Sequence, residues 1–501
     1  MKKIFEIRYV ILFIVLTMQF SCSNSYLELI PTSGLTRQEF WKTKEDVEAV
    51  LMGAYLQLAS MNGNLFTYGE ARGDMVKAHY TFEYSSEGNL MKSNIYPENG
   101  LCNWGSFYTL INYCNEVIKN APEVQKLDNT FNDFQLKGFL SEAYFLRSLS
   151  YFYLVRIFKD VPLVLEPSES DGDNFYPTQT KGEDVLKQVM KDLNEYRQFA
   201  TDGYKTEVEK KGRATKAAFD ALLADISLWN FDYEACIGYC DRILPKDVLS
   251  LGASGHGLIP GGSWFQIFYP GNSIEGIFEI QFNDQLKQSN ALYDMTRKDA
   301  NKYLPSQRAV ELFARKYTAI QGNRGEDASI TMQSEDNYLI WKYAGMFPDG
   351  KTIRPGSIQK SCNWIVYRLA DIYLMKAEAL SQLSRFTEAG YILNMVIRDR
   401  AGVVPIAVGN SVSAYEDAIM DERALELAYE GKRWFDLLRM GRRNNYSRKD
   451  KLVELIVKSV PSTQKRILSA KLTNPLGWYL PVQKDEIERN KNLVQNPYYI
   501  Y

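Results

Sequence analysis

Apolar residues return every three to four positions along most of this chain, and that period commits it to helices packed on helices rather than to extended sheets. The first such run follows Thr43-Lys-Glu-Asp46, which has the form of a helix-opening capping box. It places Val47, Val50, Leu51, Ala54, Tyr55 and Leu58 on one face. Comparable amphipathic runs cover Trp104 to Lys119, Phe131 to Phe158, Gly182 to Phe199, Thr215 to Trp229 and Tyr233 to Ile243. Helix is expected again over Trp364 to Ser384, Thr387 to Arg400 and Tyr415 to Met440. Trp104 opens one of these periodic runs and is assigned to packing.

Two segments read as similar helical hairpins, Ala221 to Cys236 and Ala377 to Ala389. In each, a helix carrying small alanines ends in a short polar turn with an aromatic, and a second helix opens on Glu-Ala. Small residues let paired helices approach closely, the device of tetratricopeptide repeats. Between residues 249 and 361 the character changes: Gly- and Pro-rich punctuation surrounds short strand-like runs, Gly276 to Phe282 and Asn337 to Tyr343. The expected fold is therefore mostly α, with TPR-like helical hairpins and a loop-rich, partly β insertion.

The N-terminus reads as targeting sequence. Lys2, Lys3 and Arg8 precede the apolar run Val10 to Leu16, which is too short to span a bilayer. Gln19-Phe20-Ser21-Cys22 follows and resembles the lipobox at which a bacterial lipoprotein is cleaved and acylated on its new N-terminal Cys, with Gln19 standing where an aliphatic residue is usual. The expected organisation is a signal peptide over residues 1–21, a tether over 22–35 attached through Cys22, and one domain over 36–501. That domain divides into a helical part (36–248), the irregular insertion (249–361) and a second helical part (362–501).

Charge and composition narrow the chemistry. A net charge of -2, with 24% charged and 45% hydrophobic residues, fits neither a disordered chain nor a nucleic-acid binder. Two histidines, His79 and His256, leave little material for a His-centred triad or a His-rich zinc site. The cysteines other than Cys22 form an odd set without framework spacing, and Cys236 and Cys240, four apart on one helix, read as core rather than as metal ligands. No cofactor motif is found. Glu422, Glu426 and Glu430 form a carboxylate stripe near Arg423, Lys432, Arg433 and Arg439, read as a structural ion network with Trp434 and Phe435 in the core. Arg147 and Arg156 are given structural roles too.

The run from Asp421 through Glu-Gly-Lys-Arg-Trp-Phe-Asp to Gly441 resembles the signature helix of the SusD/RagB family of nutrient-binding lipoproteins. In chain order, Cys22 to Glu28, Leu146 to Val164 (with its Asp-Val-Pro-Leu-Val turn), Tyr367 to Ala379 and Tyr479 to Pro497 resemble other family segments. The resemblance implies TPR-like units and a lipid anchor in the outer membrane, facing the cell exterior. It also implies a partnership with a TonB-dependent transporter, and binding without turnover.

A sugar site needs exposed rings for C–H faces and polar groups for hydroxyl rims. The 13% aromatic content makes such a surface available. Two segments crowd both kinds of group into sequence with no helical period. The first holds Arg72, Asp74, His79, Tyr80 and Tyr84, continuing to Tyr96, and the family resemblance points to the same region. The second, in the insertion, holds Trp264 and Tyr269. A glycan bound between them is the expectation, and a TPR-like groove capturing peptides or proteins is the alternative. A surface glycosidase would need two carboxylates about 5 to 10 Å apart, and no segment pairs acids in such a motif.

Overall fold

The computed structural model describes residues 40–168, 175–245, 255–296, 302–317, 322–335, 337–343, 345–355 and 360–500. The leader, Cys22 and the tether lie outside the described residues.

Local caps start the helices where the sequence places them. Helix α1 (Lys44–Ser60) opens on Thr43, whose side chain accepts from the Asp46 amide while the Asp46 carboxylate accepts from the Thr43 amide. Met61 joins it to α2 (Asn62–Glu70). After the short strand β1 (Val76–Ala78), Ser85 caps α3 (Ser86–Met91). Helices α4 (Gly105–Leu127) and α5 (Asp133–Phe158) pack as a pair with α1 against α4. From Ser141 to Phe158 nearly every side chain of α5 is buried, so this helix is the axis of the N-terminal half. Its two arginines are internal: Arg147 donates to Asp192 at 2.7 Å on α6 (Gly182–Tyr196). Arg156 lies 3.9 Å from the Phe152 ring centroid and 4.2 Å from that of Phe435.

Helices α7 (Lys216–Trp229) and α8 (Tyr233–Ile243) form the first TPR-like hairpin, turned at Phe231 in the left-handed region. Cys236 and Cys240 are buried thiols on its inner face. In the insertion, strand β2 (Gly276–Ile280) is followed by β3 (Tyr303–Pro305) and by the hairpin β4 (Ile330–Ser334) and β5 (Asn337–Ile340). Strand β1 pairs with β3 antiparallel, and β2 pairs with a later strand, β6 (Trp364–Arg368). The second hairpin, α9 (Leu369–Gln382) and α10 (Phe386–Tyr391), turns at Ser384, and α8 packs against α9. A π-helical segment, Ile392–Arg398, continues α10. Then come α11 (Val412–Glu426), α12 (Arg433–Tyr446), α13 (Lys449–Lys458) and α14 (Ser462–Leu472). The fold is mostly α with TPR-like hairpins, as the periodicity predicts.

Three expectations are corrected. Trp364 to Arg368 is strand, not the start of a helix: with all five residues buried there is no alternation to reveal it, and pairing to β2 decides the conformation. Tyr68 to Glu70, which open the ring- and charge-rich segment read as lacking a helical period, belong to helix α2. The third correction is that the family-like run Asp421 to Gly441 is two helices. Between them Tyr429 and Gly431 have φ of 64° and 71°. The break lets α2 approach: a Cβ on Gly69 would sit 1.8 Å from the Gly431 carbonyl oxygen, and Glu70 Oε1 accepts from the Gly431 and Lys432 amides at 2.9 and 3.3 Å. That carboxylate serves the free amides at the start of α12.

The carboxylate stripe of α11 is a buried ion network, with partners other than the neighbouring cations. Arg324 holds Glu422 at 2.6 Å and Glu426 at 2.9 Å; Arg368 reaches Glu426, Glu430 and Glu275; Lys342 lies 2.8 Å from Glu430, and Arg400 also pairs with Glu426. The cations close in sequence serve other acids. Arg423 and Lys432 clasp Asp371, Arg439 clasps Glu378, and Arg433 clasps Asp74. Burial alone would raise the Asp371 carboxyl, but Lys432 and Arg423 outweigh it and pull it down to about 2.

Candidate ligand-binding groove

The segment between β1 and α4 stands against α13 and α14 across an open cleft. On the first wall, His79 caps a single turn over Tyr80–Phe82: its ring accepts from the Thr81 amide, and its centroid lies 4.3 Å from that of Tyr80. Tyr80 is 77% and Tyr84 85% exposed. Lys92, which lines the cleft, fastens the wall, donating to the Glu83 carbonyl at 3.1 Å and pairing with its carboxylate at 2.7 Å. Its ammonium also lies 4.7 Å from the Tyr84 ring centroid. Asn94 receives the Tyr96 hydroxyl at 3.3 Å and the Lys471 ammonium at 3.2 Å. Tyr96 is half exposed beside them.

The opposite wall is apolar with a polar rim. Ile456, Val460 and Pro461 face the deeper part of the cleft, about 460 Å³, where Leu304 of β3 and Asn337 of β5 bring the insertion to the site. An adjoining hollow of about 270 Å³ runs along α14 past Gln464, Ile467 and Lys471 to Tyr84 and Asn89. Lys92 and Gln464 border both, so the two make one groove. Among the described residues lining it, Glu83 is the sole carboxylate.

Five of the residues singled out from the sequence do not line this groove: Tyr96 stands exposed beside it, and the other four lie elsewhere. Arg72 is buried and donates to the carbonyls of Trp478 at 2.5 Å and Gly477 at 2.6 Å, with its guanidinium 4.4 Å from the Trp434 ring centroid. It fastens the C-terminal segment. Asp74 is fully buried, 2.6 Å from Arg433 and 2.8 Å from Arg308; burial raises its carboxyl, but the two arginines hold it below the usual range. Trp264 is 3% exposed, edge-on to Phe268 and close to Lys342 and Arg400. Tyr269 is partly buried, its ring against the Arg354 guanidinium at 3.9 Å and edge-on to Phe347. The crowding of rings and charges read as a binding surface is here the inside of the protein. The insertion reaches the groove through β3 and β5 instead.

The residues that sequence reasoning missed are Lys92, Gln464 and Lys471, while Asn94 falls within the first candidate segment. The spacing of Leu452, Leu455 and Ile456, and of Leu468 and Leu472, marks α13 and α14 as helices. Nothing local reports that Lys471 meets Asn94, 377 positions away.

A model of the SusD family matches residues 281–499, and a SusD-like model described as "Starch-binding associating with outer membrane" matches residues 25–228. A SusD-like protein of Formosa agariphila is 26% identical, over 88% of this chain and 92% of its own. One from Bacteroides ovatus is 24% identical, over 83% and 79%. Among solved structures, a SusD superfamily protein of Bacteroides vulgatus superposes with a TM-score of 0.73 at 19% identity, covering 92% of this chain and all of that one. A laminarin-binding SusD-like protein superposes with 0.71 at 20% identity, covering 91% and 99%.

Proposed function

The chain belongs to the SusD family, and from that premise we propose that it captures a saccharide in the groove between Tyr84 and α14 and passes it to a TonB-dependent outer-membrane transporter. The observation that carries this reading is the exposure of Tyr80 and Tyr84, 77% and 85%, at the mouth of a cleft rimmed by amides and ammonium groups. Rings left in water at one edge of a groove are explained by neither core packing nor chain entropy; they offer flat faces to pyranose C–H groups. Asn89, Asn94, Gln464 and Lys92 supply the donors and acceptors that hydroxyls need. The laminarin-binding relative of the same fold supports a glycan as the occupant. Among the described lining residues the one carboxylate, Glu83, is already paired with Lys92, which favours binding without turnover. The described association of the family with the outer membrane supports an anchor through Cys22 and an outward-facing body.

A second reading keeps the groove and changes the occupant to a peptide, because the α13–α14 wall is a helix face of Ile456, Val460 and Ile467. Binding of the purified protein to matched arrays of oligosaccharides and peptides decides between them. Retention of saccharides alone is expected. Retention of peptides alone would replace the glycan with the second reading, and retention of neither would remove the groove as a capture site.

A further inference from the structure

The groove's charge is one-sided. Lys77 stands exposed on β1 at the deeper end, and Lys471 stands at the far end, in the last turn of α14. Among the described residues neither has a carboxylate partner. Lys471 meets only the neutral Asn94 Oδ1 at 3.2 Å. The one lining carboxylate, Glu83, is occupied by Lys92 at 2.7 Å, and the nearby Glu87 by Lys302 at 3.1 Å. The buried cations of the ion network are matched closely, Lys342 by Glu430 and Arg324 by Glu422 and Glu426, whereas the two groove ammonium groups are not.

Resting on the reading of this groove as a saccharide site, we infer that its ligand is an acidic saccharide, with uronate carboxylates or sulfate esters reaching Lys471 and Lys77 while pyranose faces lie on Tyr80 and Tyr84. Burial alone lowers the Lys471 ammonium from its ordinary value, the behaviour of a cation half-withdrawn from water without a counter-charge. An anion on the ligand restores what the site lacks, and a charge-assisted hydrogen bond there is stronger than any a neutral hydroxyl makes. The arrangement also sets specificity: a neutral glycan can use the rings but leaves both ammonium groups unmatched.

The test uses pairs of probes that share a backbone and differ in charge: oligogalacturonate and its methyl ester, alginate oligosaccharide and its carboxyl-reduced form, and a sulfated galactan oligosaccharide with its desulfated form. Calorimetry of the purified protein is expected to show at least one acidic member bound about tenfold or more tighter than its neutral twin, the preference shrinking as salt is raised. Lys471→Gln should lose about tenfold in affinity for the acidic member, and Lys471→Arg should retain it, with melting curves recorded for both. Equal affinity within every pair overturns the inference. If Tyr84→Ala then abolishes that binding, the saccharide reading survives without the charge. Binding of no saccharide at all, or of poly-glutamate in their place, overturns both.

Discussion

At the scale of single residues, burial decides which polar groups act on a ligand and which hold the fold. Arg72 and Asp74 have the residue types of a sugar clamp, yet both are sealed inside by partners hundreds of positions away, Trp478 and Arg433. A single sequence records residue types and not depth, so these two could not be told from Tyr80 and Tyr84, which stand in water a few positions on. Glu70 is the buried acid with a measurable signature. Burial, only partly offset by the Lys432 and Gly431 amides, raises its carboxyl from 4.5 to about 8, and its Oε2 has no hydrogen-bond partner among the described residues. A carboxyl whose folded pKa is raised contributes stability that is present below 4.5 and is lost as pH rises through about 8. Glu70→Gln keeps an oxygen for both amides and cannot ionise. Its melting temperature is expected to gain on that of the wild type between about pH 5 and about pH 8. Parallel curves for the two proteins over that range would contradict the assignment.

At the scale of elements, what was legible is what local chemistry fixes. The Thr43 capping box, the long apolar face of α5 and the Glu-Ala hairpins around α8 and α10 are written in adjacent residues, and the structure follows them. Strand β6 and the break between α11 and α12 are not, because each is imposed by a partner distant in sequence: β2 for the strand, α2 for the break. Gly69 tests the second case. An added methyl would meet the Gly431 carbonyl oxygen, a backbone atom, at 1.8 Å, and a Cβ on Gly431 would sit 2.8 Å from the Trp364 ring. Gly69→Ala is expected to destabilise by at least ~2 kcal/mol in chemical denaturation. An unchanged denaturation midpoint would show that the two turns can separate without loss.

At the scale of the whole molecule, the groove is a composite that no one segment encodes. The aromatic wall comes from the stretch after α2, part of the floor from the insertion through β3 and β5, and the facing wall from α13 and α14 near the end of the chain. That is why the first wall was legible as a candidate and its counterpart was not. No described helix is long and apolar enough to cross a membrane; the attachment proposed above is through Cys22. Metabolic labelling with a fatty acid is expected to mark the wild type and not Cys22→Ala, and label persisting in the variant would refute the anchor. Whether the exposed rings of this groove hold a saccharide is decided by calorimetry of the double variant Tyr80→Ala/Tyr84→Ala against a glycan bound by the wild type. A loss of at least about tenfold in affinity with an unchanged melting temperature is expected, each stacking ring contributing on the order of 1 to 2 kcal/mol; wild-type affinity in a folded double variant would show that the rings do not hold the glycan.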